Sequence, residues 1–294
     1  MDEKKINNKI GVPVLIVTAF VWGIAFAFQR SGLDNVGPLT FMASRCVLAA
    51  IALAIVCIVM YGFKEAFTFN KDTLKGGLIC GVVLTVANNL QQIGLVNTSA
   101  GKGGFITAMY IIIVPFMVWL IFKRKPEKKI WLGVVLAMVG LFLLCVKENF
   151  TITSGDVWVF GCSITFSIHI LVTDYFIAKN VEAVKLSMLQ FTVCMVLSWV
   201  VAFIFEEPSL AGMWDARIAI AYCGVISAGV GYTLQIVGQK YTKPEAATLA
   251  MSLESVFAAI GGWMILGETM SVKEIIGAVL MFAAITIVQI KKAE

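Results

Sequence analysis

Histidine is almost missing from this 294-residue chain, which carries one, His169. A lone imidazole excludes a His-rich metal site and leaves no recognisable nucleophile, base and acid constellation for hydrolysis. Charge is scarce too: Asp, Glu, Lys and Arg make up 14% of the residues, against roughly 25% in soluble domains. The seven cysteines sit singly in apolar runs, with no close pairing and no His at metal spacing. They read as small buried hydrophobes, so neither a disulfide framework nor a bound metal is expected. Gly101-Lys102-Gly103-Gly104 lacks the Lys-Ser/Thr ending and the strand–loop–helix setting of a phosphate loop, so no cofactor or nucleotide site is expected.

What the chain has instead is apolar length. It is 60% hydrophobic with a mean hydropathy of +0.91, more apolar surface than a soluble domain of this size can bury. Runs of about 20 residues predict ten spans, at 11–30, 38–62, 74–97, 99–122, 130–147, 154–178, 184–205, 214–239, 244–266 and 272–290. Strand alternation is absent, so the expected fold is an all-α integral membrane protein. Under this reading 17 of the 23 Lys and Arg residues, Lys64, Lys71, Lys128, Lys179 and Lys243 among them, fall on one side. Both termini are then cytoplasmic. The net charge of +5 reports topology and contact with anionic membrane lipid, not nucleic acid. Ala25-Phe26-Ala27 resembles a signal-peptide cleavage site, but cutting there would delete the partner of span six, so the first helix is kept.

The spans also repeat. Shifted by 144 residues, Val86, Leu90, Gln91, Gly94, Thr98, Trp119, Gly133 and Leu136 fall on Val230, Leu234, Gln235, Gly238, Thr242, Trp263, Gly277 and Leu280, with no gap. Five spans per copy is an odd number, so residues 1–150 and 151–294 are expected to be two inverted five-helix repeats forming one membrane domain. Many secondary transporters are built this way, with the substrate site near the midplane where the halves meet.

Each half has an amide-rich third helix, a polar turn, a fourth helix and a charged turn. The first reads Asn88-Asn89-Leu90-Gln91-Gln92, then Asn97-Thr98-Ser99-Ala100-Gly101-Lys102; the second reads Gln235-Ile236-Val237-Gly238-Gln239, then Leu266-Gly267-Glu268 ahead of Gly277. At these residues the chain resembles the EamA-like branch of the drug/metabolite transporter superfamily, along nearly its whole length. The first half departs from that pattern, with Lys123-Arg124 where Gly267-Glu268 stand in the second. The resemblance implies export of small metabolites, amino acids or toxic compounds without choosing among them.

Ionisable groups inside lipid cost roughly 2.5 to 3.5 kcal/mol on insertion scales, so their positions are candidates. Glu254 is central in the ninth span, and its partner 144 residues earlier is Tyr110, equally central in the fourth. Glu254 is read as a proton-titrating carboxylate or as the partner of Arg45 or His169. His169, near the middle of span six between Thr165 and Thr173, and Asp174 are the other proton-coupling candidates. Arg45, about five residues into span two, either snorkels to headgroups or holds a carboxylate. Glu268 reads as a turn cap, and Asn149-Phe150-Thr151 as a sequon of no weight.

Asn88, Asn89, Gln91 and Gln92 make poor lipid-facing surface and are expected to line a wet cavity, where amides both donate and accept. Trp22, Tyr110, Tyr232 and Gln235 complete the expected substrate contacts, while Trp119, Trp158, Trp199, Trp214 and Trp263 read as interface anchors.

The reading is a multi-pass transporter of the inner or plasma membrane, not an enzyme, exporting a small polar or amphipathic molecule by alternating access, coupled to protons. The alternatives are a metabolite exchanger without proton coupling, an intramembrane lipid-modifying enzyme using Glu254 and His169, and an interaction subunit. A homo-oligomer is left open.

Overall fold

The computed structural model describes residues 6–145, 152–266 and 271–289, without the side chains of Ala100, 262–266 and 289. These residues form α1 (Asn8–Gly32), α2 (Pro38–Tyr61), α3 (Lys71–Gly94), α4 in two pieces (Ala100–Thr107 and Tyr110–Phe122) and α5 (Lys128–Cys145). There follow α6 (Ser154–Ile177), α7 (Ala183–Phe205), α8 (Arg217–Tyr241), α9 in two pieces (Pro244–Met251 and Glu254–Leu266) and α10 (Val272–Gln289). Eight of them, α1 to α8, are long and apolar enough to cross a membrane. Their outer faces carry bare apolar side chains such as Val59, Phe203 and Val279, each more than half exposed, a surface that lipid satisfies and water does not. The chain is a helical integral membrane protein.

Helix ends follow local chemistry. Pro38 opens α2 at a position whose N–H would have no partner, and Gly62, at φ 79°, closes it in a backbone region that side chains resist. The Asn70 side chain accepts from the Thr73 N–H at 2.7 Å at the head of α3, and Thr153 with Asp156 forms a reciprocal capping box at the head of α6.

Polar ties gather the connections at two ends. At the Lys-rich end Lys179 pairs with Asp72 at 2.9 Å, Lys243 with Glu127 at 3.1 Å, and Lys185 donates to the Thr68 carbonyl at 3.3 Å. At the other end Asp156 accepts from Thr98 at 2.7 Å and from Lys102 at 2.5 Å. There Glu206, just past α7, accepts from the backbone of Leu39 and Thr40 at 2.9 and 2.8 Å, satisfying donors that the start of α2 leaves open.

The same packing recurs 144 residues apart. α3 lies along α6 as α8 lies along α1, while α2 packs on α7 and α5 on α10. A methyl on Gly94 would stand 2.7 Å from the Gly155 carbonyl, and one on Gly238 would stand 3.1 Å from the Gly11 carbonyl. The Gly94/Gly238 identity is therefore a close helix approach made twice, and its other wall, Gly11/Gly155, is a further pair at the same spacing. Both broken helices break at matching points. Hydrogen bonds three residues apart replace the regular ladder around Ala108 and Met109, and again around Ser252 and Leu253. Tyr110 and Glu254 open the second pieces.

In α8 the expected unbroken register slips by one residue. Gly81 of α3 packs on Gln190 and Val193 of α7, and Gly224 of α8 packs on Arg45 and Leu48 of α2, so these counterparts are 143 apart. The extra residue before the 144 spacing resumes is absorbed by a π-helical stretch, Tyr222–Gly231.

Candidate functional site

A small cavity of about 20 Å³ opens among α1, α2, α3, α4, α6, α8 and α9. Its polar lining is Gln29, Arg45, Gln91, Thr107, Ser227 and Glu254; its aromatic lining is Trp22, Phe26, Phe166 and Tyr232. The breaks in α4 and α9 aim the Tyr110 and Glu254 side chains at each other: the Tyr110 hydroxyl donates to Glu254 Oε1 at 2.9 Å. Glu254 is only 3% exposed and heads a 13-residue helical piece, where the positive end of the helix dipole favours a carboxylate.

Three contacts at this centre join residues 144 apart: Tyr110 with Glu254, Tyr232 donating to Asn88 Oδ1 at 3.0 Å, and Trp22 edge-on to Phe166 at 5.7 Å between centroids. All three pairs share the spacing at which the sequence repeats.

Glu254 does not pair with Arg45 or His169. The Arg45 guanidinium donates through Nη1 to Gln29 Oε1 at 3.0 Å, and the His169 ring lies 3.1 Å from Gln190 Oε1. His169 is fully buried against Phe166 and Tyr232, outside the cavity lining, with its Nδ1 buried and without a hydrogen-bond partner. Thr165 turns back to the Gly161 carbonyl and Thr173 faces Cys80, so the expected polar stripe is divided among neighbours. Asp174 is half-buried one turn from the end of α6 and away from the cavity.

The amides disperse as well. Gln91 reaches the cavity and donates to Thr107 at 3.1 Å. Asn89 donates to Ser198 of α7 at 3.0 Å, bracing two helices, and Asn88 receives Tyr232. Gln92 is wholly buried off the cavity, with neither amide atom bonded. Gln235 donates to Gln239 at 2.9 Å, which passes the chain to the Ile170 carbonyl; this is a helix-to-helix strut, not cavity lining. Four amides on one side of a helix signal protein contact, but several different neighbours share that side.

Arg45 does not snorkel. It is 2% exposed and lines the cavity. The reason is Gln29, three residues before the end of α1 and close enough to replace water at one of its nitrogens. Gln29, Phe26, Phe166 and Thr107 were not singled out by sequence; Phe166 was detectable as the counterpart of Trp22 at the 144 spacing. Trp22 itself donates to the Ser227 carbonyl of the π-helical stretch at 3.2 Å. Trp119, Trp158 and Trp214 are at least two-fifths exposed, as interface anchors require. Glu268, Asn149 and the side chain of Trp263 lie outside the described residues.

A helical membrane bundle with a small mixed polar and aromatic cavity at its centre defines a polytopic membrane protein that handles small molecules. The profile of the EamA-like transporter family matches residues 9–146 and again 153–290, and the chain belongs to that family. It is 27% identical over 277 residues to an uncharacterized transporter of Archaeoglobus fulgidus, covering 94% of this chain and 85% of that one. It is 21% identical to the uncharacterized transporter YoaV of Bacillus subtilis, covering 94% and 95%. Over 94 residues, 32% of this chain and 29% of the other, it is 30% identical to the S-adenosylmethionine/S-adenosylhomocysteine transporter of Chlamydia muridarum. A crystal structure at 13% identity superposes with a TM-score of 0.77 over 95% of this chain and 96% of that one, a likeness of fold. The protein is a transmembrane transporter of the drug/metabolite transporter superfamily, and not an enzyme.

Proposed function

We propose that the protein is a secondary transporter of the inner or plasma membrane that exports a small metabolite by alternating access, driven by protons carried on Glu254. Ten spans are arranged as two inverted five-helix units, 1–150 and 151–294, with both termini cytoplasmic. The observation that carries this reading is the Tyr110–Glu254 hydrogen bond between residues 144 apart, at matching breaks in α4 and α9 and on the cavity wall. Two similar halves supply two similar states of opposite access, and broken helices at the cavity are where such halves bend. A small metabolite accords with the named substrates of the Chlamydia muridarum relative.

The test is Glu254→Gln, which keeps shape and can still accept from Tyr110 but cannot titrate. In liposomes loaded with pooled metabolites, the variant is expected to lose pH-driven accumulation and to retain substrate counterflow, since exchange needs binding and movement but no net proton transfer. Accumulation at the parental rate under a pH gradient would overturn the assignment of coupling to Glu254.

A further inference from the structure

Arg45 is a buried cation without a buried anion. It is 2% exposed, and a guanidinium does not give up its charge. Among the described residues no carboxylate lies within 4 Å of it. Its hydrogen-bonded side-chain partner is the neutral Gln29, and its Nε is buried with no partner. Glu206, which meets the start of the same helix, spends its carboxylate on the Leu39 and Thr40 backbone and on the Thr40 hydroxyl. A charge left uncompensated in a low-dielectric interior is costly, a penalty that Gln, Leu or Met at this position would avoid.

The missing counter-charge has a place to sit. Arg45 lines the central cavity, whose volume of about 20 Å³ holds one water or one monatomic ion and little more in this conformation. The wall around it is rich in donors and poor in acceptors. Gln29 spends its Oε1 on Arg45, and Gln91 donates to the Thr107 oxygen at 3.1 Å. Among the described residues that leaves the Gln29 amide nitrogen and the Thr107 hydroxyl proton to donate. The Ser227 carbonyl is already taken by the Trp22 indole at 3.2 Å. Glu254 accepts from Tyr110 whether its carboxyl is neutral or ionised, so nothing here requires a charge on it. An ionised Glu254 would loosen an anion's hold, never supply it.

We propose that this cavity is a binding site for a single small inorganic anion, chloride in a cell, that serves as the counter-ion of Arg45. The ion is ligated by the guanidinium, the Gln29 amide and the Thr107 hydroxyl, contacts that a neutral water makes more weakly because they lack charge assistance. Sulfate and organic acids exceed the space. The ion is a fixed part of the wall, not cargo, so the site stands apart from the transport cycle proposed above and from the identity of its substrate.

The experiment is a titration of the full-length protein in detergent, exchanged into sodium gluconate, with sodium chloride, bromide or sulfate at constant ionic strength. It is read by thermal shift and by chloride NMR line broadening. Chloride and bromide are expected to raise the melting temperature to a plateau, and sulfate to leave it at its value in gluconate. Arg45→Gln is expected to weaken chloride binding by about tenfold or more, and Thr107→Val, which removes one donor without touching the charge, by less. Glu254→Gln is expected to bind chloride at least as tightly as the parent. Should Arg45→Gln fail to fold, Gln29→Glu serves: it sets a carboxylate beside Arg45, and is expected to raise the melting temperature in gluconate while abolishing the response to chloride. Equal melting temperatures in chloride and gluconate, with no line broadening, mean that water alone fills the cavity and overturn the proposal. So do an equal response to sulfate, undiminished chloride binding by folded Arg45→Gln or Gln29→Glu, or loss of binding in Glu254→Gln. Chloride binding that survives while liposomes show no proton-driven accumulation sustains this site and overturns the transport cycle above instead.

Discussion

Gly155 shows how one side chain limits this bundle. A Cβ there would come 2.6 Å from Thr98 Oγ1 and closer still to the Gly94 carbonyl, and backbone cannot move aside as a flexible side chain can. Gly155→Ala is therefore expected to cost about 1 to 3 kcal/mol and to lower the melting temperature in detergent. Gly101→Ala, with nothing within 4 Å, is expected to leave it unchanged. Equal melting temperatures for the two variants would show that α3 and α6 are not in this contact. Glu127 supplies a contrast outside the membrane. The hydrogen bond from Lys243 is the main influence holding its carboxyl below the usual carboxylate range. A depressed carboxyl contributes stability that is present above its unfolded value and lost as pH falls through the folded one. Glu127→Gln is thus expected to shift the melting temperature slightly and equally at pH 6 and pH 8, the pair being half-exposed and worth little. A difference that grows between those two pH values would contradict the pairing.

At the scale of the helix, α8 is where the two halves part. α3 is regular from Lys71 to Gly94, whereas α8 carries its π-helical stretch beside the cavity, where the Ser227 carbonyl receives Trp22. A π-helical turn is what one inserted residue leaves behind in an α-helix, and it widens the helix at one face. Deleting Ile226, which is on the outer surface, is expected to restore a regular helix and a spacing of 144 throughout α8. The protein should still elute as a folded monodisperse species, while counterflow falls by about tenfold as Trp22 loses its anchor. Parental counterflow after the deletion would remove the stretch from the transport site. The helix itself was legible from its apolar run, but its irregularity was not. An extra residue in a helix changes no hydropathy, and the quoted identities begin at Val86 and Val230, after the slip has been absorbed. The breaks in α4 and α9 were equally silent, since neither Gly nor Pro stands at Ala108, Met109, Ser252 or Leu253 to announce them.

Across the whole molecule, what could be read from sequence is what the two halves share. Gly94 with Gly238 and Gly133 with Gly277 repeat because each copy must pass a backbone closely, and Tyr110 with Glu254 was found by position alone. What escaped is what depends on the partner across the centre: Asn89 and Gln235 look like cavity residues on their own helices and become struts only when α7 and α6 are laid beside them. The shared offset makes a demand on topology that either half alone would not. If the units are inverted, an odd number of crossings separates each residue from its counterpart, so connections at one end of the bundle alternate with those at the other along the chain. Lys64, Lys128 and Lys243 are exposed at the Lys-rich end, and Asn97 and Ser209 are exposed at the opposite end, while six of the seven native cysteines are buried and give little background. Single Cys substitutions at Asn97 and Ser209 are expected to react with an impermeant maleimide in intact cells. Those at Lys64, Lys128 and Lys243 should react only after the membrane is opened, because cationic connections are retained on the cytoplasmic side. Labelling of Ser209 together with Lys128 would leave the second unit running in the same direction as the first, and the paired contacts at the centre would then need an explanation other than an inverted repeat.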